Sequence, residues 1–154
     1  MTTGRRLALD VGKVRIGVAL SDFHNILASP QPHIERKSDE IAIDAILRLV
    51  TDENVQHIYV GLPTNLRNES TQSTRDAVVF ANLIALRTQV AITLVDERLT
   101  TTQASSALRS AGKSAKTQRA YIDSAAAAVI LESALEFERN TGTIAGRQLG
   151  ELDA

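Results

Sequence analysis

Residues 7–22 read LALDVGKVRIGVALSD. Leu7, Leu9 and Val11 alternate with Ala8 and Asp10, and a second alternating run begins at Val14, after Gly12 and Lys13. Alternation on both sides of so short a break is the pattern of two strands joined by a tight turn. Asp10 is the anomaly. Aspartate forms strands poorly, and a carboxylate buried without a partner is strongly unfavourable. Its presence in the first strand therefore needs a chemical reason.

Outward from this pair, strand one covers about Arg6 to Val11 and strand two Val14 to Leu20. A third strand, Ile26 to Ile34, is interrupted by Pro30 and Pro32, which suits an edge. Ser38 or Asp39 caps a helix whose Ile43, Ile46, Leu47 and Val50 fall at helical spacing. His57 to Val60 reads as a short buried strand running into the loop GLPTN. Next comes a helix from Ser70 to Leu86, with Val79, Phe80, Leu83 and Leu86 as its core stripe, and then a strand from Val90 to Val95. Thr100 and Gln103 form a capping-box pattern for a helix that Gly112 ends. A polar link, Lys113 to Thr117, leads to the longest helix, Gln118 to Arg139. Residues 1–140 are expected to form one domain. Residues 141–154, ending TIAGRQLGELDA, have no strong pattern and are expected to be a mobile tail.

Three antiparallel strands followed by strand–helix–strand units predict an α/β fold with a mixed sheet and helices on both faces. Right-handed crossovers place strand four beside strand one and strand five outside it. The expected order is 3-2-1-4-5, a ribonuclease-H-like five-stranded sheet. The ends of strands one, four and five then share one edge, where open α/β sheets bind ligands.

Three carboxylates fall at that edge. Asp10 is near the end of strand one, and Glu97, in LVDERLTT, directly follows strand five. Asp123, in YIDSAAAAVIL, shares a helix face with Ala126, Ala127, Ile130, Ala134 and Phe137. An apolar face is turned toward the sheet, and the alanines from Ala125 to Ala128 let the helix approach closely. The plainer account of Asp123 is a first-turn carboxylate favoured by the helix dipole. If the three meet, like charge raises their pKa values unless a cation is present. Hard oxygen ligands of this kind suit Mg2+ or Mn2+, completed by water and phosphate oxygens.

The bulk composition narrows the possible chemistry. The 154 residues are 44% hydrophobic and 23% charged, as in ordinary globular chains. With no cysteine there is no thiolate nucleophile and no cysteine-bound zinc. No apolar run is long enough to span a membrane, so a cytoplasmic chain without a membrane partner is expected. From Arg98 to Ile122 there is no acidic residue, while Arg98, Arg109, Lys113, Lys116 and Arg119 are basic. A basic segment bracketed by Glu97 and Asp123 suits a phosphodiester site, although a solvated basic loop would look the same. Aromatics make up only 3% of the chain, which disfavours a base-stacking platform.

LALDVGKVRIGVALSD, VGLPTN, VDERLTT and IDSAAAAVIL resemble, in order and spacing, four signature blocks of the YqgF/RuvX family. Members are described as Holliday junction resolvases and implicated in maturation of the 5′ end of pre-16S ribosomal RNA. The resemblance runs from about Leu7 to Leu135 and implies a ribonuclease-H-like, metal-dependent nuclease. It places the acidic catalytic and metal-binding residues on Asp10, Glu97 and Asp123. Gly12, Arg15 and Gly17 fall in the first block, Gly61, Pro63 and Asn65 in the second, and Arg98, Thr100 and Thr101 in the third. Leu66–Arg67–Asn68–Glu69 departs from the Met-Asp-Gly type of turn common in the family.

The expected partner is precursor ribosomal RNA or branched DNA, bound by a monomer or a homodimer. Asn65 and the GLPTN amides are expected to hold a phosphate, and Arg15, Arg98, Lys116 and Arg119 to contact the backbone. Two other readings start from the same residues. Asp-x-Gly also opens the phosphate loop of the actin and sugar-kinase superfamily, but no second such motif is present. A non-catalytic nucleic-acid-binding factor of ribosome biogenesis or transcription is the other, and it would leave a buried acidic cluster unused.

Overall fold

The computed structural model describes residues 4–63, 72–97 and 124–149. β1 (Arg5–Val11) and β2 (Arg15–Ser21) form the antiparallel pair expected from the first stretch, with Asp10 opposite Gly17. Gly12 makes the turn between them. Its amide donates to the Arg15 carbonyl at 3.1 Å, and a Cβ on Gly12 would lie 2.6 Å from that same oxygen. No larger residue fits this approach.

β3 (Ala28–Glu35) pairs antiparallel with β2 at the sheet edge, prolines included. α1 (Asp39–Asp52) follows, with the Ser38 hydroxyl accepting from the Ile41 amide at 3.1 Å and two acidic residues in its first turn. β4 (Val55–Leu62) runs parallel to β1, and β5 (Ala91–Asp96) parallel to β4, with α2 (Gln72–Ala85) between them. After α3 (Ala125–Thr141), β6 (Arg147–Gln148) pairs antiparallel with β5.

The sheet order is β3-β2-β1-β4-β5-β6. It contains the expected 3-2-1-4-5 arrangement, ribonuclease-H-like, with a sixth strand added at the β5 edge. That strand, two residues long, comes from the segment beyond Gly142, which as sequence carries no strong pattern. Gly142 ends α3 in a left-handed conformation, its amide donating to the Glu138 carbonyl at 2.8 Å. The chain then turns back, and Ala145 is fully buried against α3 and the sheet.

Strict alternation divides the sheet into two faces. Leu7, Leu9 and Val11 of β1 join Ile58, Val60, Ile92 and Leu94 beneath α1 and α2. Each fully buried aliphatic side chain of this kind contributes roughly 1.5–3 kcal/mol. Ala8 and Ala19 face the other way, where they meet Ala127, Ala128 and Ala134 of α3. Small side chains on both partners bring α3 close to the sheet. Arg6 and Asp10, two residues either side of Ala8, lie on this α3 face as well.

The expected stripe on α2 needs correction. Phe80 is buried, but Val79 is 56% exposed and Leu86, just past the helix, is 82% exposed. The buried residues are Thr74, Ala77, Phe80, Ala81 and Ile84, a face turned about one residue from the expected one. Small Ala77 and Ala81 outweigh bulkier Val79 because they allow close packing on the strands. Phe137, expected on the inner face of the last helix, is 38% exposed, and Glu138 is buried in its place. The expected helix from Thr100, the link to Thr117 and residues 118–123 lie outside the described residues. Among the described residues, no helix is long and apolar enough to cross a membrane.

Candidate active site

Asp10 and Glu97 meet. Asp10 is the last α3-facing residue of β1, and Glu97 continues the α3-facing series of β5 after Val95. Their side chains are hydrogen-bonded to each other. Burial pushes the Glu97 carboxyl up to about 7, and the charge of Asp10, its hydrogen bond and the charge of Asp96 add to the effect. Asp96 lies on the opposite side of the strand end, opposite Leu62 of β4.

Gly61 makes this meeting possible. β4 lies between the two carboxylate-bearing strands, and Gly61 faces α3 at the level of the pair. A Cβ there would stand 2.5 Å from Ile130 Cδ1 of α3 and 3.3 Å from Glu97 Oε1. The space a side chain would need is taken by Ile130, with the Glu97 carboxyl at its edge.

The start of α3 is fixed at the same place. The Ser124 hydroxyl is fully buried and accepts from the Val18 amide at 3.0 Å, instead of capping its own helix. Val18 follows Gly17, the residue opposite Asp10. The sequence pattern places Ser124 inside a helix that begins at Gln118, so this anchoring role had no signal there.

Of the other expected site residues, only Arg15 lies within the described regions. It opens β2 at an exposed position opposite Glu35. There it lines a shallow groove of about 280 Å3 with Val14, His33, Glu35, Arg36 and Lys37. Asp123, Asn65, Arg98, Lys116 and Arg119 lie outside the described residues. Among the described residues, no group of three or more His, Asp or Glu side chains converges on one point. The Asp10–Glu97 pair nonetheless fits a hard divalent cation. It offers two adjacent carboxyl groups whose mutual repulsion a cation would relieve.

Arg36 was not singled out by sequence reading. It follows β3, and its side chain is only 10% exposed. Its Nη1 and Nη2 donate to the two carboxylate oxygens of Asp76 on α2 at 2.7 and 3.0 Å, and Nε donates to Asp39 at 2.8 Å. Nη1 also donates to the Gly12 carbonyl at 3.0 Å, and the guanidinium stacks over Phe80 at 4.7 Å. The Ser38–Asp39 helix start was legible, but a partner forty residues further along the chain is not.

A second polar cluster occupies the far end of the α3 face. Arg6 donates to both carboxylate oxygens of Glu138, and to the Tyr59 hydroxyl at 2.7 Å. Thr93 donates its hydroxyl proton to the Ala145 carbonyl at 2.9 Å, so His57 Nε2 is the donor in its 2.9 Å contact with Thr93. Burial and the neighbouring Arg6 push the His57 imidazole down to about 4. His57 is thus a neutral structural histidine, and the alanines in the middle of the face separate this cluster from Asp10.

Comparison with known proteins gives a family and a fold. The model of the RuvX family, described as Holliday junction resolvase, matches residues 4–137. A protein of Leifsonia xyli subsp. xyli (strain CTCB07) is 48% identical over 141 residues, covering 92% of this chain and 91% of its own. One of Mycobacterium leprae (strain TN) is 44% identical over 154 residues, covering 93% and 84%. Both carry the name "Putative pre-16S rRNA nuclease". Among solved structures, T. thermophilus RuvC in complex with a Holliday junction substrate superposes with a TM-score of 0.63. It covers 92% of this chain and 98% of its own at 14% identity, so the likeness is one of fold.

Proposed function

The chain belongs to the RuvX family, and from that premise we propose that it is a divalent-metal-dependent nuclease acting on structured nucleic acid. Its reaction is phosphodiester hydrolysis, in 5′-end maturation of pre-16S ribosomal RNA or in resolution of branched DNA. The observation that carries this reading is the Asp10–Glu97 pair, held at the strand ends beside Gly61 with a carboxyl group pushed up to about 7. A structural carboxylate gains nothing from such a neighbour, whereas a cation site requires it.

Asp10, Glu97 and Asp123 are the residues assigned to hold Mg2+ or Mn2+. Ser124, adjacent to Asp123 in sequence, is tied to β2 next to Asp10, which favours the third member of the trio. When bound, the cations activate a water and stabilise the leaving oxygen. The protein's part is to keep its carboxylates fixed and to orient the substrate. Asn65 and the loop amides after Gly61 are assigned to one phosphate. Arg15, Arg98, Lys116 and Arg119 neutralise flanking phosphates, which positions the strand without reading its sequence.

The test is cleavage, with magnesium, of a precursor 16S 5′-leader RNA and of a synthetic four-way DNA junction. Asp10→Asn is expected to reduce cleavage of the true substrate at least a hundredfold, with the fold intact by circular dichroism. Full activity in this variant overturns the assignment. The relative rates on the two substrates decide between RNA and DNA, and sedimentation with bound substrate decides between monomer and dimer.

A further inference from the structure

We propose that Arg36 is a positioning residue for the nuclease site, clamping the turn that follows Asp10 to the helix that follows Gly61. The inference rests on the functional reading above. Gly12, whose carbonyl accepts from Arg36 Nη1, is two residues beyond Asp10. The Arg36 backbone amide donates to the carbonyl of Val14 at 2.8 Å, so the same residue holds both sides of the β1–β2 turn. Its guanidinium then reaches across to Asp76 in a two-bond, planar contact.

Asp76 sits in the first turns of α2. Two residues earlier on that helix, the Thr74 hydroxyl donates to the Pro63 carbonyl, at the end of the Gly61–Leu62–Pro63 strand exit. The helix itself therefore joins two polar contacts, Arg36 to Asp76 on the side of the turn beside Asp10 and Thr74 to Pro63 on the side of the strand exit beside Glu97. Phe80 beneath the guanidinium and Asp39 at its Nε fix the plane in which it lies.

This geometry depends on a fork. A lysine in place of Arg36 keeps the charge but cannot bind Gly12, Asp39 and the two oxygens of Asp76 together. Nor is the arrangement needed to bury a core. The guanidinium lies at the rim, and the helix faces beneath it are already packed by Ala77, Phe80 and Ala81. What the clamp adds is a fixed separation between the two chain segments that flank the carboxylates, and displacements of about 1 Å at such sites can reduce rates a hundredfold.

The experiment compares Arg36→Lys, Arg36→Met and Asp76→Asn with the unmodified chain under saturating magnesium, on whichever substrate that chain cleaves. The expected result is a kcat about tenfold or more lower in Arg36→Lys and Asp76→Asn, with KM changed less than threefold. The Arg36→Lys/Asp76→Asn double variant should be no worse than the poorer single, because both break one contact. Urea unfolding is measured in parallel, and Arg36→Lys and Asp76→Asn decide the matter if Arg36→Met fails to fold. An unchanged kcat with lowered stability overturns the inference and leaves Arg36 a structural residue. If the unmodified chain cleaves neither substrate, the functional reading itself fails, and the inference fails with it.

Discussion

Glu97 is a group whose ionisation opposes folding. Its carboxyl titrates near 7 in the folded chain, against an ordinary value of 4.5, because burial and Asp10 disfavour its charge. Below pH 4.5 both folded and unfolded forms are protonated, and the group is neutral in its effect. As pH rises from 4.5 through 7, the unfolded chain ionises first and stability is lost. Replacing the carboxyl with an amide removes this penalty. In chelator at pH 8, Glu97→Gln is expected to be more stable than the unmodified chain by about 1–2 kcal/mol after allowance for solvent screening, with the gain gone at pH 4. Urea unfolding at the two pH values checks it. Gly61 gives a second expectation at this scale. Gly61→Ala is expected to lose about 1–3 kcal/mol through overpacking against Ile130, and cleavage at least tenfold through displacement of Glu97. Adding Ile130→Val relieves the first contact alone, so it should restore stability in urea unfolding without restoring the rate of cleavage. Asp10 and Glu97 were legible in sequence because a charge at a strand end is conspicuous. Arg36 and Ser124 were not, since each takes its meaning from a partner far along the chain.

At the scale of elements, strands were easier to read than helix faces. The alternation of β1, β2 and β5 has only two solutions, and burial chooses between them. A helix can rotate by one residue with little change in pattern, and α2 did so because Ala77 and Ala81 offered closer packing than Val79. The same ambiguity hid Glu138, which the pattern of α3 assigns to solvent and the structure buries against Arg6. Glu138→Ala would leave that guanidinium buried without its counter-charge. The expected loss is about 3–5 kcal/mol in urea unfolding, while cleavage per folded molecule stays unchanged because the cluster lies at the opposite end of the sheet from Asp10. A coincident loss of activity at full folding would contradict the separation of the two clusters.

For the molecule as a whole, topology followed from element order and right-handed crossovers, and among the described strands only β6 escaped notice, since two residues make no pattern. The edges of the sheet carry a further consequence. N–H groups of residues two apart in a strand point the same way, so Pro30 and Pro32 remove two consecutive donors from a single side of β3. An incoming strand would meet no ladder there, which guards the chain against amyloid-like stacking while it is concentrated on its substrate. A Pro30→Thr/Pro32→Thr variant is expected to fold but to scatter light increasingly with concentration and time, whereas the unmodified chain does not. Growth of the sheet from copy to copy is thus blocked at β3, and any self-association on that side of the molecule has to use helix or loop surfaces instead.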